Sequence, residues 1–201
     1  MGTATNILAA PAAVWISPTG TALPDETTVA AGASWGGSWT DLGFTASPLA
    51  LGAEIEELEL EVEQVPAAVG AIATKRALSL EVTLAEFTAA NLKIALAVGN
   101  TITTVAAGAS QHGFDTLKAG ALVTMPVYQL GFEAVAVDAS GNKLVKRVFI
   151  YKAIPKLGGK LEFSRKSQVG IPLQIMALAD TTKTAGEDMI EIQNVTAWKT
   201  S

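Results

Sequence analysis

The residue types that usually carry chemistry are scarce in this chain and poorly spaced for it. It has one histidine and no cysteine in 201 residues. His112 stands in Ser110-Gln111-His112-Gly113-Phe114-Asp115, from which a serine nucleophile, a histidine base and an aspartate can be written. A catalytic triad is assembled by folding distant segments together, and near neighbours in sequence do not supply that geometry, so His112 reads as a loop histidine. One imidazole and no thiol leave too few ligands for a zinc site. The densest carboxylates are Glu57, Glu59, Glu61 and Glu63. Glycoside hydrolysis needs a pair about 5 to 9.5 Å apart in a cleft, one of them with a raised pKa. Four glutamates on one open strand face lack that asymmetry and read first as a solvated face. The glycine-rich stretch 32–37 lacks the Lys-Ser/Thr ending of a phosphate loop. Asn194-Val195-Thr196 matches a glycosylation sequon, which has meaning only for an exported chain. The sequence thus predicts no catalytic, cofactor-binding or metal-binding residue and no enzyme.

The elements that hold these residues are mostly strands. In Glu57-Leu58-Glu59-Leu60-Glu61-Val62-Glu63 the period is two, so carboxylates share one face and aliphatics the other. Arg76 to Val82 repeats the alternation with Leu78, Leu80 and Val82 inward, and the Pro66–Gly70 connection is short enough for an antiparallel pair. Thr83-Leu84-Ala85-Glu86 has the spacing of a capping box and predicts one helix over about 84–98, ended by Gly99-Asn100. Asn91 falls on its apolar stripe and needs a hydrogen-bond partner if buried. A second hairpin is expected from Val127–Val137 and Lys143–Ala153 around a turn at 138–142, and a third from Lys160–Ser164 and Gly170–Leu178. Pro172 predicts an edge or a bulge in that last strand. Lys143–Ala153 is apolar on both faces, with Val145, Phe149 and Tyr151 opposing Leu144, Val148 and Ile150. Ile7–Ile16 reads as the first strand rather than a signal peptide, because Met1–Asn6 carries no Lys or Arg. The sum is a mainly β (α+β) single domain over 1–201, with a flexible N-terminal loop at about 17–38 and a looser segment at about 180–201.

Composition narrows the function class. Charged residues are 16 % and hydrophobic residues 49 %, whereas soluble domains carry ~25 % charge. Apolar surface in such a chain is best covered by neighbouring subunits. The net charge of −5, with no basic stripe, argues against a fixed nucleic-acid footprint. No run approaches the ~20 apolar residues of a membrane-spanning helix.

The order of several short segments points to a family. Ser17-Pro18-Thr19-Gly20-Thr21-Ala22-Leu23-Pro24 is followed by Trp39-Thr40-Asp41-Leu42-Gly43-Phe44 and an acidic strand over 54–64. Then come Thr83-Leu84-Ala85-Glu86-Phe87-Thr88 with Asn91-Leu92, Gly158-Gly159-Lys160-Leu161-Glu162-Phe163-Ser164, and Ile171-Pro172-Leu173. Over roughly residues 15–180 this resembles the major tail (tail tube) proteins of long-tailed, non-contractile bacteriophages, especially those of actinobacterial hosts. Ala46-Ser47-Pro48 departs from the acidic-Gly pair often found there.

The resemblance implies a tail-tube-like β-sandwich or rolled sheet with one flanking helix, shared with type VI secretion tube proteins. It implies hexameric rings stacked into a virion tail tube, through which DNA leaves without specific binding. Partners would be other copies of the chain, a tape-measure protein and tail terminator and baseplate proteins, with assembly in the host cytoplasm. On that reading Glu57, Glu59, Glu61 and Glu63 are candidate lumen-facing residues. Trp35 and Trp39, flanking Gly36-Gly37-Ser38, are candidate inter-subunit anchors. The alternative is a monomeric β-sandwich module displayed on a surface or binding carbohydrate, with clustered aromatics in a cleft.

Overall fold

The structure is a computed structural model that describes residues 11–195 other than 26, 28, 121–123, 138–140 and 142. Among these residues ten strands, β1 Ala12–Pro18, β2 Thr40–Asp41, β3 Ala50–Val62, β4 Val65–Leu84, β5 Thr103–Val105, β6 Phe114–Thr116, β7 Tyr128–Val137, β8 Lys143–Leu157, β9 Ile171–Leu178 and β10 Ile190–Asn194, accompany one helix, α1 Ala89–Ala95. Eight strands form one antiparallel sheet in the order β2-β1-β7-β8-β9-β4-β3, with β10 also on β8. β5 and β6 form a separate small ladder.

The sheet rolls because residues 40–46 span from one end of it toward the other. Thr40 and Asp41 pair with Ile16 and Trp15 of β1, and Leu42 N–H donates to the Val14 carbonyl at 2.9 Å. A few residues later Ala46 N–H donates to Thr83 and Ala85 N–H to Phe44, both at 2.7 Å, on β4 and its continuation. The enclosed face carries the main core, with Val14, Ile16, Leu80, Val82, Leu84, Leu130, Phe132, Ile150, Ile171, Leu173 and Ile175. Alternation places them there in β9, where Ile171, Leu173, Ile175 and Ala177 are buried.

In β8 the alternation serves two cores. Phe149 and Ile150 are adjacent and both fully buried, the first in an aromatic cluster on the outer face and the second in the main core. A bulge between the Tyr128↔Ala153 and Leu130↔Ile150 pairs then moves odd-numbered residues inward, so Ala153 joins the main core.

The helix is shorter than its sequence pattern suggests. Thr83 and Leu84 end β4, paired with Pro172 and Ile171, because burial of Val82 and Leu84 in that ladder outweighs a local capping box. The N-cap is Thr88, whose hydroxyl accepts from Asn91 N–H at 3.1 Å. Asn91 is buried and its Nδ2 donates to the carbonyls of Leu42 and Glu86 at 3.2 and 3.0 Å, which is the pairing its position demands.

Other expectations are corrected. Pro66–Gly70 belongs to β4, and the turn between β3 and β4 is Glu63-Gln64. Residues 160–164 are irregular rather than a strand, and β9 pairs with β4 and β8 instead. β9 is therefore interior. Pro172 is tolerated because it is the second residue of β9 and lies past Leu157↔Leu173, the last pair with β8. Residues 7–10, the turn at 138–142 apart from Gly141, Thr196 of the sequon and Trp198 lie outside the described residues.

Candidate functional site

The most unusual surface is the far half of the β3–β4 hairpin. All of β3 is exposed, and its pairing with β4 shifts register twice, between Glu56 and Glu57 and again near the tip between Leu60 and Val62. Glu56 opposes Lys75 while Glu57 opposes Ala73, so Thr74 is an extra residue on β4. Its hydroxyl donates to the Glu56 carbonyl at 3.1 Å, and Glu56 and Lys75 form an exposed ion pair at 2.6 Å on the near side of the bulge.

Residues opposite one another in a ladder share a face, which fixes what each side of the arm presents. Near the body, Leu51 opposes Leu80 and Ala53 opposes Leu78, on the side of the main core. Along β3 that same side continues as Glu57 and Glu59, opposite Ala73 and Ala71, and then Glu61. The reverse side begins with Gly52, Glu54 and Glu56 and becomes Leu58↔Ile72, Leu60↔Gly70 and Val62↔Val65. Beyond Thr74 the apolar face has therefore changed sides, turned away from the core and left exposed by the described residues. Leu58, Leu60 and Ile72 are 56, 41 and 53 % exposed. Three of the four candidate lumen glutamates, Glu57, Glu59 and Glu61, share the opposite face, while Glu63 sits in the turn.

The tryptophans lie elsewhere. Trp35 and Trp39 are 6 and 7 % exposed and pack with Trp15 and Phe149 on the outer face of the sheet. Trp35 stacks on Trp15 at 5.3 Å and meets Trp39 edge-on at 4.9 Å. Its ring lies where a side chain at position 131 would stand, so Gly131 on β7 makes room for it. Beneath the loop is a buried ion pair that sequence reading did not find, Arg147 Nε to Glu133 Oε2 at 2.7 Å. Glu133 also accepts from Gly32 N–H at 2.7 Å and Trp35 Nε1 at 3.3 Å, and Arg147 donates to the Val29 carbonyl at 2.7 Å. The described residues of the 19–38 loop are thus irregular in path yet fastened to β7 and β8. The signal in the sequence was Glu133, the one charged residue of β7, whereas Arg147 is hidden among the other basic residues of β8, Lys143, Lys146, Lys152 and Lys156.

The candidates for chemistry are not brought together. His112 is exposed beside the β5–β6 ladder, and Asp115 accepts from Thr104 Oγ1 at 2.7 Å. Among the described residues no group of three or more His, Cys, Asp or Glu is placed to hold a metal ion. The perturbed groups serve structure. Lys152 at 2.9 Å, helped by the Thr182 hydroxyl and N–H, holds the Asp180 carboxyl down at about 2. Burial, and then the Glu191 carboxylate that accepts its hydroxyl proton at 2.7 Å, push Tyr151 up to about 12. Lys183 caps the Tyr151 ring at 4.4 Å. These contacts tie residues 180–191 back onto β8. No described helix is long and apolar enough to cross a membrane.

The described residues thus form a rolled antiparallel sheet with one short helix, fastened loops and a two-faced arm. A family profile described as phage tail tube protein matches residues 1–196, and the chain belongs to that family. It is accordingly a structural protein of the virion tail, of a kind that associates with itself and with other tail components. No curated protein matches the chain closely enough to add to this.

Proposed function

We propose that this chain assembles into hexameric rings that stack to form the phage tail tube, the conduit for DNA on its way into the host. The observation that carries the reading is the uncovered apolar face of the β3–β4 arm, Leu58, Leu60, Val62, Val65 and Ile72. A soluble monomer gains nothing from such a face, whereas a subunit gains a contact. The outer edge of the 13-residue β3, which no described strand pairs, supports it too, because an open edge of that length is normally covered or closed into a larger sheet. In the assembled tube Glu57, Glu59, Glu61 and Glu63 face the lumen and repel the phosphate backbone, so DNA slides without a binding site. Trp35 and Trp39 contribute to subunit packing by fixing the shape of the 19–38 loop. Tape-measure, terminator and baseplate proteins complete the tail, which is put together in the host cytoplasm. The buried tryptophan cluster gives no support to a carbohydrate platform, which needs exposed rings.

Sedimentation velocity over a concentration series tests the reading. Species much larger than one 20.7 kDa chain should grow with concentration. A single monomer boundary at every concentration and salt would overturn it.

A further inference from the structure

We propose that the arm of one copy docks its leucine face in the groove between β1, β7, β8 and the root of β3 on a second copy. This proposal rests on the tube reading above and names its contact. The groove encloses about 610 Å³, and its lining includes Leu49, Phe132, Ala134, Lys146, Val148 and Ile192. It is a seam in the rolled sheet, between the start of β1 and the point where the chain enters β3.

Charge selects this groove. The arm carries Glu54, Glu56, Glu57, Glu59, Glu61 and Glu63 against Lys75 and Arg76, so it is strongly acidic. Among the described residues the seam is lined by one cation, Lys146, and no carboxylate. The neighbouring groove beside Phe44 is lined by Asp41, Glu86 and Glu133 and would repel the arm. Three further grooves each include a carboxylate, at Glu81, at Glu54 with Asp188, and at Asp25. Attraction at Lys146 steers the arm, and the apolar lining takes its aliphatic side chains.

Reach selects a second copy as the occupant. Leu49 lines the groove at the root of β3, and Leu58 lies nine residues further along the chain. At ~3.3 Å per residue the stripe begins roughly 30 Å from its own groove, so a straight arm does not fill it. Donor and acceptor are then different surfaces of one chain, which makes the contact heterologous. Such a contact leaves a free arm at one end and a free groove at the other, and it propagates until a ring closes or a filament grows. With the leucine face seated, the Glu57, Glu59 and Glu61 side of the arm remains outermost.

The test uses two full-length variants, each checked for wild-type circular dichroism and melting. L58R/L60R has a disabled arm and an intact groove; K146E/I192E has an intact arm and an acidic groove. If L58R/L60R does not fold, Ile72→Glu replaces it on the other strand of the arm. Each variant alone should need at least about tenfold more protein than the wild type to assemble. Mixed one to one, they should form a heterodimer and nothing larger, since one competent arm and one competent groove remain. The inference is overturned if the wild type assembles and L58R/L60R assembles equally well. It is also overturned if the mixture stays monomeric or forms polymers. A wild type that never self-associates would instead bring down the tube reading itself.

Discussion

At the scale of single residues, two ionic contacts make predictions of different kinds. Asp180 has a folded pKa of about 2, held down by Lys152 and Thr182, against ~3.9 for a free aspartate. Its pairing therefore stabilises the fold above pH ~4, and that contribution is lost as the pH falls from ~4 toward 2. Asp180→Asn should melt below the wild type at pH 6, and the gap should close by pH ~2. A gap that stays constant across that window would show that the carboxylate's charge is not what matters. Glu133 and Arg147 are 3 and 1 % exposed, and removing one charge strands the other. Arg147→Met should cost about 3–5 kcal/mol in denaturant unfolding. Adding Glu133→Leu should recover only part of that, because Gly32 N–H and Trp35 Nε1 also lose their acceptor. Full recovery would mean that the loop contacts contribute little.

The elements show how far the sequence could be read. Strand content was legible from period-two runs, and the need of Asn91 for a partner from its place on an apolar stripe. The helix start was misplaced because a capping box is a local signal, and the β4–β9 ladder that overrides it joins positions about 90 residues apart. The arm was half legible. Its glutamate face was plain, and a further sign lay in the aliphatics, which fall at odd positions at Leu51 and Ile55 and at even ones from Leu58 to Val62. Only the pairing with β4 revealed that the even face is left uncovered by the described residues. The seam groove draws on β1, β7, β8, β10 and the root of β3, and no local pattern announces such a convergence. Deleting Thr74 should keep the cross-strand pairs on either side of the bulge while removing its bend. Unfolding free energy should change by no more than about 1 kcal/mol, the worth of one hydrogen bond, whereas assembly should weaken because the arm points elsewhere. Unchanged assembly would show that the bulge does not aim the arm. Gly131→Val places a side chain where the Trp35 ring now lies. It should destabilise by about 1–3 kcal/mol and change tryptophan fluorescence, and a silent substitution would contradict the packing described for that loop.

For the whole molecule, a subunit with a two-faced arm is complete only in company. Its family places it in the virion tail, and in the tube proposed above the leucine face would hold neighbours while the glutamate ladder would leave the DNA path free. Replacing Glu59 and Glu61 with lysine should leave folding nearly intact, since exposed strand charges rarely matter by more than ~0.5 kcal/mol. The resulting tubes should bind DNA in a salt-dependent way. Assembled variants that ignore DNA would put the ladder on the outside of the tube. The most direct measurement of the central claim is electron microscopy of the concentrated wild-type protein, with averaging of end-on views. The account predicts rings of six subunits stacked around an open channel, with the β3–β4 arm of each subunit covered by a neighbour. Particles that remain single subunits with an uncovered arm at every concentration would contradict it.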